Sequence, residues 1–314
     1  MAGTARAAGL VVGFCLDRAL GDPRRGHPVA GFGTLARRLE TPLYADSRAA
    51  GAAYTLMLVG GTATVGAAVG RVGGRSGSGW GREMLGVAAS TYVVLGGTSL
   101  VREGDTMAAA LASDDLAAAR GRLGHLCARD ATGLGADELA RATVESLAEN
   151  TSDAVVAPLV WGALLGVPGL VGYRAANTLD AMVGYRSPRY ARFGWAAARL
   201  DDLLNLVPAR LAALLAVVAA EDRAGAWRVW RRDGAHHPSP NAGQVEAAFA
   251  GALGVRLGGA NSYAGITENR GVLGEGGHDV VAGDVRRAGA LSRRVSWGAL
   301  VVSAATALVA GRRR

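Results

Sequence analysis

Long uncharged runs alternate along this chain with short, dense polar clusters. Residues 49–70, 84–101 and 154–173 carry no charge, residues 203–220 carry none apart from Arg210, and residues 295–311 form a weaker final run. A helical run of about 17–25 apolar residues matches the thickness of a bilayer's hydrocarbon core. One such run would suit a buried core helix of a soluble protein, but five in one chain predict a multi-pass membrane protein. Helix is the spanning structure, because backbone groups in lipid must be satisfied within the segment and the short alternating segments of a barrel are absent. A shorter apolar stretch at 7–20, interrupted by Asp17 and Arg18, predicts an N-terminal membrane or interfacial helix and lacks the form of a complete signal peptide.

The predicted fold class is therefore all-α: a single membrane-embedded helical domain over residues 1–314 at the cell membrane. It would carry a helical polar loop at 102–152 and a structured polar loop region at 221–294. Within the first loop, Thr106–Arg129 combines strong helix formers with an apolar stripe at 3–4 spacing and reads as one helix, and Asp137–Leu147 reads as a second. Pro158 and Pro168 fall inside the uncharged run 154–173, where each removes a helical hydrogen bond. That run is expected to be kinked, or re-entrant and packed against protein.

Composition supports this reading. Half of the residues are hydrophobic, 19% are charged, and glycine and alanine dominate over aromatics, which suits close helix–helix approach in lipid. The net charge of +8 is dispersed as single arginines and short clusters, without the basic and aromatic interleaving of a nucleic-acid binder. Membrane topology explains it better: the loop with Arg71, Arg75 and Arg82 and the tail Arg312–Arg314 lean cytoplasmic. A strict alternating count from that tail puts the acidic 102–152 loop and the 221–294 region on the far side, and one re-entrant segment reverses it. Cys15 and Cys127 are too few and too far apart for a metal or redox motif.

Four polar clusters are candidates for chemistry: Gly21–Val29; Glu149–Asp153; Asn177 through Asp180 and the arginines 186–192 to Asp201, Asp202 and Asn205; and His236–Glu246, followed by Leu257–Tyr263. On a helix, Glu149 and Asp153 share a face, as do Asp201 and Asn205. Such oxygen pairs suit a divalent cation with phosphates, or ion pairs to arginine. Arg186, Arg189 and Arg192 recur every three residues and present guanidinium forks suited to phosphate or carboxylate, or anchor the chain at the membrane face. His27 and His237 each precede a proline, which fits a rigid loop as well as proton transfer. No Walker loop, dinucleotide fingerprint, nucleophile elbow or H-E-x-x-H is present.

Taken in order, these clusters resemble the CobD/CbiB family of integral membrane adenosylcobinamide-phosphate synthases. The resemblance is carried by G-D-P and H-P-V (His27–Val29), V-E-S-L-A-E-N-T-S-D (Val144–Asp153) with A-P-L (Ala157–Leu159), and N-T-L-D-A-M-V-G-Y (Asn177–Tyr185). F-G-W-A-A-A-R-L-D-D (Phe193–Asp202), P-A-R-L (Pro208–Leu211), H-P-S-P-N-A-G (His237–Gly243) and G-A-L-G-V-R-L-G-G (Gly251–Gly259) complete it. Ala181 stands where the family commonly has serine, and H-x-S-P-N is kept with Pro238 at its centre.

The resemblance implies an ATP-dependent carbon–nitrogen ligase. It would join (R)-1-aminopropan-2-ol or its O-phosphate to the propionate carboxylate of adenosylcobyric acid, with Mg2+ and ATP; the corrinoid is a substrate and not a prosthetic group. Glu149, Asp153, Asp201 and Asp202 are then expected at the metal or at the amine, inside a polar shell of Asn150, Asn177, Asp180, Tyr185 and Asn241. Arg186, Arg189 and Arg199 are expected at phosphate, and His27 and His237 at proton handling. The expected partners are the corrinoid, the aminopropanol, the lipid bilayer and, at most, further copies of the chain in a homo-oligomer, with no nucleic acid. The competing readings are a membrane corrinoid transporter and a non-catalytic membrane binding subunit.

Overall fold

Four of the five uncharged runs form helices long and apolar enough to cross a membrane: Arg48–Val69, Gly79–Ala112 (interrupted at Leu95 and Gly96), Trp195–Ala219 and Ala282–Arg312. Even the shortest, with 22 residues, is about 33 Å long at 1.5 Å per residue, enough for a hydrocarbon core of about 30 Å. The chain is thus a helical, multi-pass membrane protein. It is described by a computed structural model covering residues 2–23, 26–72, 79–185, 187–263 and 266–312. Arg75, Arg313 and Arg314, used in the topology reading, lie outside the described residues. The chain folds as two compact units, one of Met1–Gly96, Ala157–Asn205 and Leu300–Arg314, the other of Gly97–Val156 and Leu206–Ala299.

The fifth run, 154–173, is broken twice. A π-helical turn occupies Ser152–Val156, then α8 runs Ala157–Leu165 and α9 runs Val167–Val183. The π turn falls where the Pro158 ring would clash with the carbonyl of Ala154, four residues before it. The second break is at Gly166, whose φ of 69° is open to glycine at little steric cost, and Pro168 follows in the first turn of α9, where proline is tolerated. Gly162 meets Leu170, and Gly169 meets the Trp161 carbonyl, so α8 and α9 fold back on one another as a tight helical pair.

In the first unit, α1 (Ala2–Leu20) lies against α4 (Gly79–Val94). A Cβ at Gly9 would sit 2.7 Å from the Met84 carbonyl, so the two backbones approach as closely as small-residue membrane interfaces allow. Helices α2 (Pro28–Leu43) and α3 (Arg48–Val72) pack with α9 around Tyr54, Leu58, Leu179, Val183 and Phe193. Tyr54 satisfies its buried hydroxyl on the Ala36 carbonyl at 2.9 Å. The short α10 (Tyr190–Phe193) leads into α11 (Trp195–Ala219).

In the second unit, α5 (Gly97–Ala112) packs on α7 (Ala136–Thr151) with Gly104 against Leu147. The single helix expected over Thr106–Arg129 is interrupted. Asp114 takes a left-handed φ of 56°, and the Asp115 carboxylate accepts from Ala118 N at 2.9 Å to start a new helix, α6 (Leu116–Leu123). The 221–294 region is ordered by α12 (Arg223–Asp233), α13 (Ala242–Leu253) and a small sheet, and α14 (Ala282–Arg312) begins well before its apolar run. The sheet has the order β2-β1-β3, with β1 (Val255–Tyr263) antiparallel to β2 (Ile266–Leu273) and parallel to β3 (His278–Asp279). Hydropathy did not announce it, because the in–out alternation of Val255, Arg256 and Leu257 is only three residues long before glycines interrupt it.

Candidate active site

Within the first unit, α9 and α11 align a chain of polar side chains in apolar surroundings. Residues Tyr173, Arg174 and Asn177 fall on one face of α9, and Asp201 and Asn205 one turn apart on α11. Asp201 is 9% exposed, and both its oxygens accept amide protons: from Asn177 Nδ2 at 3.2 Å and from Asn205 Nδ2 at 3.0 Å. The Tyr173 hydroxyl donates to Asn205 Oδ1 at 2.9 Å, and Arg174 donates to Asn177 Oδ1 at 3.4 Å. A neighbouring cleft of about 120 Å³ is lined by Pro28, Val29, Phe32, Val171, Arg174 and Thr178. The oxygen pair expected at 201 and 205 is thus a hydrogen-bonded pair, with the Asn205 amide donating to Asp201.

The other predicted residues of this unit stand in separate settings. His27 caps α2: its Nδ1 accepts from Val29 N at 3.2 Å, which leaves the neutral ring's proton on Nε2, 4.0 Å from Asp22 Oδ1. Asp202 lies 3.5 Å from Arg199, one turn back on the helix and largely exposed. Asp180 is half-buried near the end of α9, Tyr185 is exposed, and Arg186 lies outside the described residues. Arg189 donates from Nε and Nη2 to Glu40 Oε1 at 3.2 and 2.8 Å and stacks 4.0 Å from the centre of the Tyr44 ring. Tyr190 adds a third donor to the same Glu40 oxygen at 2.9 Å. The geometry gives Arg189 a clamping contact that fastens the loop before α10 to α2.

In the second unit, Glu149 and Asn150 lie in the last turn of α7, and Asp153 lies inside the π turn that follows it. Asn150 Nδ2 donates to the Ser146 carbonyl at 2.9 Å. Deeper in α7, Glu145 forms a buried ion pair with Arg129 at 2.6 Å and accepts the Gly258 N–H at 2.8 Å. His237 Nδ1 accepts from Ser239 N at 3.0 Å, so its Nε2 faces Glu246 Oε1 at 3.8 Å, with both side chains buried. Asn241 accepts from Arg210 at 3.3 Å. Among the described residues, no group of three His, Cys, Asp or Glu side chains is placed to hold a metal ion.

Sequence reasoning passed over Tyr173, Glu40, Arg129 and Glu145. Glu145 carried a signal, since it stands one helical turn before Glu149 within V-E-S-L-A-E-N. Arg129 and Glu40 carried none, because their partners lie 16 and 149 residues away in the chain.

A family model described as CobD/Cbib protein matches residues 10–292. The cobalamin biosynthesis protein CobD of Mycobacterium tuberculosis (strain ATCC 25618 / H37Rv) is 53% identical over 302 residues, 95% of each chain. The protein of the same name from Chromobacterium violaceum is 42% identical over 311 residues, 96% of this chain and 97% of the relative. That from Rhodobacter capsulatus (strain ATCC BAA-309) is 42% identical over 305 residues, 94% and 96% respectively. No solved structure matches the chain.

Proposed function

The chain belongs to the CobD/CbiB family, and from that premise we propose that it is the amide-forming enzyme of the cobalamin pathway that loads the aminopropanol arm. The acyl donor is the propionate carboxylate of adenosylcobyric acid; the amine is (R)-1-aminopropan-2-ol or its O-phosphate. The observation that carries the proposal is the Tyr173–Asn205–Asp201–Asn177–Arg174 chain. Polar and ionisable groups this dense in membrane helices are costly and ordinarily line a site.

A free carboxylate resists amine attack because it has no good leaving group. Phosphoryl transfer from ATP to a carboxylate oxygen releases ADP and leaves an acyl phosphate. The amine nitrogen then attacks the acyl carbon, the carbon–oxygen bond to phosphate breaks, and phosphate departs with the electron pair. The aminopropanol arrives largely as an ammonium ion and must lose a proton before it attacks. Asp201, held by two amide donors, orients that ammonium and accepts its proton. Arg174 and Arg199 meet phosphate oxygens, with Arg186 as a third cation for them. Glu149 and Asp153, with Asn150, form a second acidic set for amine or metal contact; Asp180, Tyr185 and Asn241 are polar contacts for substrate. His237 fixes the Ser239–Asn241 turn, and His27 passes a proton through Nε2.

Magnesium ordinarily takes one or two carboxylates together with substrate phosphates, so Asp202 beside a nucleotide would be the residue to hold it. When bound, the metal neutralises charge that develops on the phosphoryl group. The test uses purified protein in detergent with adenosylcobyric acid, aminopropanol phosphate and Mg-ATP, read by mass spectrometry. The condensed product should appear and disappear when any component is omitted, and Asp202→Ala should abolish it in folded protein. Corrinoid that is bound but returned unchanged would instead identify a carrier or binding subunit.

A further inference from the structure

Three contacts in the second unit fix where its membrane helices leave the apolar layer. Arg294 Nη1 donates to the Ala219 carbonyl at 3.4 Å, placing a cation on the last turn of α11. One turn further along α14, Gly298 packs against Leu215, so the two helices run side by side there. Arg293 pairs with Asp105 of α5 at 3.7 Å. Arg294 is also the last charge before the uncharged run 295–311. The apolar zones of these helices therefore end together at Ala219 and Arg294. α12 starts at Arg223, four residues past Ala219, a step of at most about 14 Å even when fully extended.

α12 has two unlike faces. Ala226 and Asp233 are buried, and Ala226 packs on Gly251 of α13. The exposed side carries a stripe of Arg223, Trp227 and Arg231, spaced four apart, with Arg228 beside them. Trp227 is 45% exposed, and its ring is braced at 89° by Trp230, 5.2 Å away, whose indole N–H is fixed on Gln244 at 3.0 Å. Arg232 is engaged by Asp233. Among the described residues, Arg223, Arg228 and Arg231 form no ion pair, although Arg228 also lines a cleft with Asp222, Arg232 and Glu275.

We propose that this face of α12 is a docking surface for anionic phospholipid headgroups, with Trp227 seated among the headgroups and Arg223, Arg228 and Arg231 taking lipid phosphates. An exposed tryptophan flanked by cations at the level where spans end is the composition of an interfacial helix.

The test compares intact protein in nanodiscs of phosphatidylcholine alone and with phosphatidylglycerol. The Trp227 signal is obtained as the difference between wild type and Trp227→Phe. That signal should become shielded from aqueous iodide and quenched by lipids brominated high on the acyl chain when phosphatidylglycerol is present. Replacing Arg223, Arg228 and Arg231 by Gln should lower the phosphatidylglycerol preference, counted as lipids retained in native mass spectrometry, by roughly fivefold per arginine. A Trp227 signal equally open to iodide in both bilayers overturns the proposal, as does a triple variant that retains as much phosphatidylglycerol as wild type. Shielding that requires an added soluble protein also overturns it. If the triple variant does not fold, the iodide comparison still decides, because it needs only the exposed Trp227→Phe change.

Discussion

Two ion pairs of the second unit have the same length and opposite surroundings, which allows burial to be tested apart from geometry. Arg129–Glu145 and Arg256–Asp279 both close at 2.6 Å, but the first pair's side chains are 4% and 5% exposed and the second's are 52% and 68%. Removing one member of a buried pair leaves an uncompensated charge and costs about 3–5 kcal/mol. Arg129→Gln would leave Glu145 with the Gly258 N–H and with Arg141 at 3.9 Å, so the lower end, about 3 kcal/mol, is expected. At roughly 2–4 °C per kcal/mol for a chain of a few hundred residues, the midpoint should fall by about 6–12 °C. Arg256→Gln removes an exposed pair and should cost under about 1 kcal/mol. The assay is thermal unfolding of detergent-solubilised protein by intrinsic fluorescence, with Arg129→Gln/Glu145→Gln as the third arm. The double variant removes the orphaned charge, keeps an acceptor for Gly258, and should recover most of the loss. Equal shifts for Arg129→Gln and Arg256→Gln, or no recovery in the double variant, would refute the assignment of the cost to burial.

Gly13→Ala would drive a Cβ into the Ala88 carbonyl and Thr91 and should destabilise by about 1–3 kcal/mol, whereas Gly60→Ala, with nothing within 4 Å, should be neutral or slightly stabilising; both are read by thermal unfolding. Burial alone would raise the Asp233 carboxyl, yet hydrogen bonds from Arg232 and the Gly274 N–H hold it below its ordinary 3.8. Its stabilising contribution is therefore complete above that value and lost as pH falls through the lower folded-state value. The stability gap between wild type and Asp233→Asn should be full at neutral pH and narrow only in acid, which a series of unfolding midpoints from pH 7 to pH 3 would check. Tyr173→Phe leaves Asn205 Oδ1 without its buried donor and should cost about 1–3 kcal/mol. It should also lower kcat for the condensation, and unchanged turnover would remove Tyr173 from the site.

The spans were legible because hydrophobic run length is a property of contiguous residues, and four of the five runs became the four long apolar helices. The helix interruption at Asp114–Asp115 was harder to read. Ser113-Asp114-Asp115 offers a capping signal, but the alanine-rich flanks continue the apolar spacing on both sides and mask it. The sheet at 255–279 was invisible for a related reason, since glycines break its alternation and its third strand is two residues long. Side-chain pairing across distant elements was beyond periodicity altogether. Arg189 has the spacing of a phosphate-binding arginine, but Glu40, which engages it, lies in another helix.

The two oxygen pairs, Glu149–Asp153 and Asp201–Asn205, show where residue spacing has meaning. Counting four residues along a helix assumes a constant turn. On α11 that assumption holds, and Asp201 and Asn205 do meet, at 3.0 Å. Between Glu149 and Asp153 the helix changes from α to π at Ser152, ahead of Pro158, so the count alone does not fix how the two acids face. An extra residue in a turn rotates the side chains beyond it by about 100° relative to those before it. The proline that breaks the apolar run is therefore the residue expected to set the aim of Asp153. Pro158→Ala tests this directly. If the π turn exists to accommodate the proline, the variant should relax toward α-helix, move Asp153 into line with Glu149, and lower condensation activity in protein that remains folded. Full activity in Pro158→Ala would mean that the aim of Asp153 is irrelevant to the chemistry and would remove the acid from the site.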